Sequence, residues 1–407
     1  MNMTSSAFQG KKIGVIGFNA RPIALSLKRA GAETYVSDYW GDLDLKKVSD
    51  SCIAVLSPTP GIRQRKTLDA PLHQALLDNY LELTREIKID HVIIGSGFDD
   101  HSEILEPLEK SGLFLGCSIH RMKAARNRGS LEKAVEQLNV KLPRQIKVSS
   151  TGEINTITPE FPCVVRRAES GGGSGIRLVH NSTELLQKMT EPHAREEIHR
   201  PVIQQYIKGR DISCSILGTG KKSLALSIQG QFIGMPTAGR NCDFAYCGNY
   251  LPSGINPKYE QMISRISETI INRLQLRGSI GIDYTLDKQG QLWLMEINPR
   301  IQGTLEMLEI AGNISVTDLH FRAVQERLPS SKYRFKPTLK MIVYSRKDGL
   351  LPDLSRFPNV VDISPSGVFI KRGDPICTIL ESGENILQCY TRASNIAIQI
   401  QREVNTK

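Results

Sequence analysis

The chain has 407 residues, 40% of them hydrophobic and 23% charged, with a formal net charge of +10. That is long enough for two or three domains with a substantial core, and the composition is ordinary for a soluble globular protein. No apolar run approaches the length of a membrane span, and residues 1–9 lack the basic region and apolar stretch of a signal peptide, so a cytoplasmic location with no membrane partner is expected. The eight cysteines include no CxxC pair, and no His or Cys beside Cys242 and Cys247 completes a zinc site, so they read as reduced thiols.

In chain order, Lys12–Gly17 is a short apolar strand ending in glycine. A helix is predicted over 22–30, with Arg21-Pro22 at its start and Gly31 at its end, followed by a strand over Glu33–Asp38. Strand, glycine turn, helix and strand open a doubly wound sheet, while the glycine spacing falls short of the dinucleotide fingerprint. A strand over 53–56, a helix over 70–88 and a strand over 91–95 lead into Ser96-Gly97-Phe98, and this first domain closes near Cys117. Residues 121–138 read as one helix with Ala124, Ala125, Leu131, Ala134, Val135 and Leu138 on its apolar side. Arg121, Lys123, Arg126 and Arg128 cluster there without the interleaved aromatics that a nucleic-acid stacking surface needs. A polyphosphate ligand is the more economical explanation, and a solvated helix face stays open for Arg121 and Lys123.

A strand over 161–166 precedes the loop Ser170-Gly171-Gly172-Gly173-Ser174-Gly175-Ile176. Glycines let backbone N–H groups approach phosphate oxygens closely, although a flexible hairpin tip has the same composition. A strand over 202–207, a turn at 208–211 and a strand over 212–217 follow. Residues 232–252 read as a long irregular loop, and helices are predicted over 259–274 and 316–327. From Phe335 the pattern changes to short strands at 339–345, 368–370, 376–380 and 396–400, with a turn at 371–375.

The stretch Met295-Glu296-Ile297-Asn298-Pro299-Arg300 stands out. A period of two sets Glu296 and Asn298 on one face of a strand, and a turn at 287–290 folds it back on a strand over 281–286, beside Asp283. Two carboxylates and an amide oxygen suit a hard cation such as Mg²⁺. A hairpin with a polar rim is the alternative.

Asp283 followed by Glu296-Ile297-Asn298-Pro299-Arg300 resembles the metal-binding end of ATP-grasp enzymes. Gly17-Phe18-Asn19-Ala20-Arg21-Pro22, Asp38-Tyr39-Trp40-Gly41-Asp42, Gly95-Ser96-Gly97-Phe98 and Asp362-Ile363-Ser364-Pro365-Ser366-Gly367 resemble one branch of that superfamily, the predicted carboligases related to biotin carboxylase. The resemblance implies an α/β (α+β) chain in three parts. These are a Rossmann-like pre-ATP-grasp domain over 1–118, a two-lobed ATP-grasp domain over 119–334 and a small β-rich C-terminal domain over 335–407. It implies ATP with Mg²⁺ (Mn²⁺ also fitting), the metal held by Asp283, Glu296 and Asn298. Arg128 and Arg166, standing where the family usually carries Lys, would meet phosphates together with Gly171, Gly172, Gly173 and Ser174. Backbone groups of Gln205 and Ile207 and the Gln204 side chain would meet adenine, and Asp211 the ribose. Arg300 and Gln302 would hold the anion to be activated. The implied activity is an ADP-forming carboxylate–amine ligase acting on small molecules, with no nucleic-acid partner and a homodimer left open. Bicarbonate-dependent carboxylation and a nucleotide-binding regulatory protein are the alternatives.

Overall fold

A computed structural model describes residues 6–405 apart from 65–69, 149–156, 168–172, 174, 191–200, 240–243 and 332. The N-terminal part runs β1 (Lys12–Gly17), α1 (Arg21–Arg29), β2 (Glu33–Asp38), α2 (Leu43–Val48), β3 (Ser51–Ala54), the short hairpin β4 (Ser57–Thr59) and β5 (Ile62–Gln64), α3 (Leu72–Leu83), β6 (His91–Ile94) and α4 (Glu106–Lys110). Its sheet is parallel in the order β3-β2-β1-β6. The chain crosses from one side of β1 to the other between β3 and β6, which opens a crevice at the carboxyl ends of β1 and β6. Gly17 and Gly95 approach closely there: a Cβ on Gly17 would stand 3.2 Å from Cα of Gly95. Residues 53–56, expected as strand, shift two positions towards the N-terminus, and the helix expected over 70–88 is confined to α3.

Residues 121–138 form two helices rather than one. α5 (Ile119–Arg126) ends at Asn127, whose extended backbone breaks the helix and whose side chain accepts the Ser130 N–H to cap α6 (Arg128–Val135). After β7 (Val140–Lys141) comes a small antiparallel sheet of β8 (Gln145–Lys147), β9 (Cys163–Arg167), β10 (Arg177–Val179), α7 (Ser182–Thr190) beside it, and β11 (Pro201–Gln205), ordered β10-β9-β11-β8. Val165, Val179, Leu185 and Ile203 give this lobe its own core.

The main sheet then forms from β12 (Gly209–Thr219), β13 (Ser223–Ile233), β14 (Tyr246–Leu251), α8 (Pro257–Leu274) packed behind it, β15 (Arg277–Asp287) and β16 (Leu292–Asn298). α9 (Leu305–Gly312), α10 (Val316–Val324), β17 (Thr338–Tyr344), β18 (Gly349–Leu350), β19 (Val360–Val361), β20 (Phe369–Ile370), β21 (Pro375–Ser382) and α11 (Ile386–Glu403) complete the chain. Nine strands join in the order β19-β21-β17-β14-β13-β12-β15-β16-β7. Two expectations fail here. Residues 246–251, read as part of an irregular loop, are β14 in the middle of this sheet, because Gly248 and Asn249 disguise a strand paired on both sides. Residues 396–400, read as strand from Ile-Ala-Ile-Gln-Ile, lie in α11, which buries Cys389, Ala393, Ala397 and Ile400 at helical spacing.

The strands of the C-terminal segment β17, β19 and β21 extend the same sheet. That segment also closes on the N-terminal part around Arg21, only 3% exposed, which pairs with Asp362 at 2.6 Å, Glu306 at 2.5 Å and Asp44 at 3.2 Å. Asp44 in turn accepts the N–H groups of Asp362 and Ile363. Burial pulls the Arg21 pKa down, but Asp362, Glu306 and Asp44 outweigh it and hold the guanidinium charged. Among the described residues no helix is long and apolar enough to cross a membrane.

Candidate active site

The β15–β16 hairpin is built by its turn. The Asp287 carboxylate accepts the N–H groups of Gln289 and Gln291 at 2.9 Å each and the Trp293 indole N–H at 2.9 Å, and Gly290 takes the positive φ of 79°. Leu292 and Leu294 face the core, so a strict period of two would bury Glu296 and Asn298 with them. It does not, because the ladder steps from Tyr284↔Leu294 to Asp283↔Glu296 and leaves Met295 as an extra residue. This bulge reverses the phase: Ile297 is buried, while Glu296 and Asn298 turn to the open face with Met295 exposed between the strands' two registers.

Asp283 therefore stands opposite Glu296, and Asn298 Nδ2 donates to Asp283 Oδ2 at 3.1 Å. Gln231 Nε2 donates to the other Asp283 oxygen at 3.0 Å. Burial and the Glu296 charge push the Asp283 carboxyl up to about 7, against the pull of Ser213, Arg300 and Gln231. Among the described residues no three His, Cys, Asp or Glu side chains form a metal cluster. The donor set here is two carboxylates and an amide, oxygen donors of the kind a hard cation takes.

Three arginines surround the acids. Arg126, from the end of α5, contacts Glu296 directly and lies 3.3 Å from Asp100. Arg166 on β9 donates from Nε to Gln204 Oε1 at 3.0 Å and from Nη1 to the Arg167 carbonyl at 2.8 Å. Burial lowers its pKa, with Glu296 and Asp100 raising it and the like charge of Arg126 lowering it further. Arg300 grips Asp99 with Nε at 3.2 and 3.1 Å and with Nη2 at 3.1 Å. Strand β16 ends at Asn298, so Arg300 reaches this place from the turn after Pro299 rather than from the strand face.

Gln302 lies flat on Gly281: a Cβ there would stand 1.4 Å from Gln302 Nε2. Its Oε1 accepts Ser215 and Thr304 hydroxyls at 3.2 and 3.3 Å, and Nε2 is buried without a partner among the described residues. A chain of polar side chains continues across the sheet floor from Ser215 to Gln229, whose Nε2 donates to Ser215 Oγ at 2.7 Å.

The other sequence-predicted residues flank this centre. β11 ends at Gln205 and β12 begins at Gly209, so Tyr206, Ile207 and Lys208 link the two sheets, and the turn falls earlier than expected. Gln204 is buried, its Oε1 shared between Arg166 and Gln145, so the oxygen expected to meet a ligand is taken up inside the protein. Asp211 sits on β12 rather than in a turn, accepts the Thr285 hydroxyl at 3.0 Å and has a pKa raised by burial. Arg128 pairs with Glu132 at 2.8 Å and donates to the Pro143 carbonyl at 2.8 Å. With Gln205, Trp293, Lys141 and Arg144 it lines a cavity of about 560 Å³ at the sheet edge. Gly171, Gly172 and Ser174 lie outside the described residues. Gly173 is described, with a φ of 74° and its Cα against the Phe244 carbonyl, so only glycine fits there.

Sequence reasoning missed Asp99 and Asp100, and it marked Arg126 as part of a polyphosphate-binding cluster without its tie to Glu296 and Asp100. The acids follow the carboxyl end of β6, where a doubly wound sheet opens its crevice, and that position is the signal that could have found them.

Residues 125–304 match the ATP-grasp domain family. An uncharacterized protein of Methanocaldococcus jannaschii is 24% identical over 386 residues, 91% of this chain and 88% of that one. The carbamoyl phosphate synthase large chain of Clostridium acetobutylicum is 23% identical over 246 residues, and the match spans 60% of this chain but only 23% of that one. Among solved structures, the biotin carboxylase domain of Hydrogenobacter thermophilus 2-oxoglutarate carboxylase, in complex with MgADP, ADP and bicarbonate, superposes with a TM-score of 0.72 at 14% identity, over 95% of this chain and 89% of that one. Residues 125–304 are thus an ATP-grasp domain, and the chain as a whole has the fold seen in that biotin carboxylase domain.

Proposed function

We propose that the chain is an ATP-dependent, ADP-forming ligase that activates a carboxylate as an acyl phosphate and joins it to an amine or similar nucleophile. The observation that carries this reading is the hairpin that gathers Asp283, Glu296 and Asn298 under Arg126 and Arg166 within an ATP-grasp domain. Asp283, Glu296 and Asn298 would hold Mg²⁺, which neutralises charge on the phosphates. Arg166 and Arg128 would bind phosphate oxygens, with Gly171, Gly172, Gly173 and Ser174 covering them. Gln205 and Ile207 would meet adenine through their backbone, and Asp211 the ribose hydroxyls. Arg300 would fix the carboxylate by a bidentate contact, with Gln302 as its amide partner. The carboxylate oxygen then takes the γ-phosphoryl group and ADP leaves with the bridging electron pair. The amine forms the new bond to the acyl carbon, and phosphate departs with the acyl C–O pair.

Carboxylation through carboxyphosphate is the second reading, favoured by the sequence Arg300-Ile301-Gln302 and by the biotin carboxylase fold. Against it, Glu306, the next acid along the chain after Gln302, is bound to Arg21 and is not available as a base in this pocket. A nucleotide-binding regulatory protein would need the same nucleotide contacts without an acceptor. ADP release measured over a panel of carboxylate and amine pairs, with and without bicarbonate, separates the three. The ligase reading expects ADP only when both a carboxylate and an amine are present. ADP formation that needs bicarbonate supports the carboxylase, and nucleotide binding with no ADP from any pair contradicts both enzymes.

A further inference from the structure

Arg126 belongs to the basic cluster of the sequence, yet its position sets it apart from its neighbours. Arg121, one face of α5 away, bonds to Gln275, and Lys123 pairs with the exposed Glu106 at 3.7 Å. Arg126 instead turns inward at the last residue of α5, just before Asn127 breaks the helix, with its side chain only 20% exposed. There it spans two carboxylates from distant parts of the chain, Glu296 on the hairpin and Asp100 after β6. Burial pulls its pKa down, and Glu296, Asp99 and Asp100 more than offset this, so the charge persists.

Two consequences follow. The carboxylate that Arg126 holds is one of the acids best suited to a divalent cation, so cation and guanidinium compete for Glu296. Arg166 feels the charges of the same Glu296 and Asp100 and the repulsion of Arg126, and two half-buried guanidiniums of like charge are tolerable only with anionic groups beside them. Once Glu296 is taken by a cation, those two guanidiniums are left short of negative charge, which the oxygens of a polyphosphate supply.

We propose that Arg126 is a positioning residue of the nucleotide site: it holds Glu296 in the metal-free protein and passes with Arg166 to the phosphates when a divalent cation takes that carboxylate. The proposal rests on the ligase reading above. It makes cation and nucleotide binding cooperative, because each ligand relieves a charge imbalance that the other creates.

The test uses Mn²⁺ as probe, its binding read by electron paramagnetic resonance without nucleotide, and ATP affinity read by calorimetry in excess Mn²⁺. Wild type, Arg126→Ala, Arg126→Lys and Arg121→Ala are compared, with circular dichroism melts to establish folding. Arg126→Ala is expected to bind Mn²⁺ alone several-fold more tightly, since the competitor is gone, and ATP roughly tenfold or more weakly. Arg126→Lys should recover part of the ATP affinity, and Arg121→Ala should match wild type. A purely structural tie from α5 to the hairpin would not strengthen metal binding. Unchanged or weaker Mn²⁺ binding in Arg126→Ala, or ATP affinity within about twofold of wild type, overturns the proposal. Should Arg126→Ala fail to fold, Arg126→Gln carries the same comparison. A wild type that binds no ATP removes the ligase reading and this proposal together, whereas wild-type binding with an unaltered variant removes this proposal alone.

Discussion

Arg300 and Asp99 form a pair in which the arginine's fork is already organised for a planar anion. On the proposed ligase reading a substrate carboxylate would compete with Asp99 for that fork, and Arg300 would select the group that receives the phosphoryl rather than hold the nucleotide. Arg300→Ala is expected to leave Mg-ATP affinity within about twofold and to raise the barrier to turnover by a few kcal/mol, the order of a lost charge-assisted contact. Arg300→Lys should recover only part, because an ammonium cannot reproduce a bidentate grip. Calorimetry and acceptor-dependent ADP release on both variants check this, and a variant that loses nucleotide affinity alone would move Arg300 into the ATP site. Beside it, Gly281 is fixed by the Gln302 amide lying over its Cα, a packing constraint with no trace in the local sequence pattern.

Elements differ in how plainly their residues announce them. β1 and β2 lie where apolar runs and flanking glycine put them, and the Asp287–Gly290 turn follows from its turn residues. The bulge at Met295 has no such marker, since Leu294, Met295 and Glu296 fit an unbroken alternation equally well, and only pairing with β15 reveals the extra residue. α11 was hidden for the opposite reason: Ile396, Ile400 and the alternation between them imitate a strand, while the buried stripe of Cys389, Ala393 and Ala397 lies further upstream. Proximity of Asp283, Glu296 and Asn298 was legible, because a turn of known length sets the pairing. Asp99 and Asp100 were not, nor was the partner of Arg126, because tertiary folding across more than a hundred residues brings these groups together.

His320 joins α10 to its neighbours by contacts that depend on the neutral ring. It is buried, its Nδ1 accepting the Ser279 N–H of β15 at 2.9 Å and its Nε2 donating to the Leu115 carbonyl at 3.0 Å. Burial lowers its pKa to about 4, partly offset by Leu115. Between that value and the unfolded value of about 6.5 the unfolded chain binds the proton and the folded one does not. His320 therefore contributes stability above pH 6.5 that is lost as pH falls towards 4, by up to about 1.4 kcal/mol per pH unit for one proton. Urea unfolding of wild type and His320→Gln at a series of pH values should show a shallower acid loss in the variant, and parallel curves would contradict the assignment.

For the whole molecule, sequence motifs hundreds of residues apart converge because the chain closes on itself. Asp42 and Asp44 after β2 meet residues 362–364 of the C-terminal segment, with Arg21 buried between the two parts. Burial and the neighbouring acids Asp362, Asp38 and Asp44 raise the Asp42 pKa, whereas Arg21 and Lys340 overcome burial to hold Asp362 below the usual carboxylate range. The loop after β6 meets the hairpin separately, Asp100 through Arg126 and Asp99 through Arg300, so the proposed site draws on the N-terminal sheet, the small lobe and the main sheet together. The most direct test of that site is calorimetric titration of ATP with Mg²⁺ into wild type and Glu296→Gln, each shown to be folded by its thermal melt. Wild type is expected to bind Mg-ATP and to melt at a higher temperature in its presence, and Glu296→Gln to remain folded, lose Mg²⁺-dependent ATP binding and yield no ADP. No binding to wild type at millimolar Mg-ATP, or equal Mg²⁺-dependent binding by both proteins, would contradict a metal–nucleotide site at the hairpin.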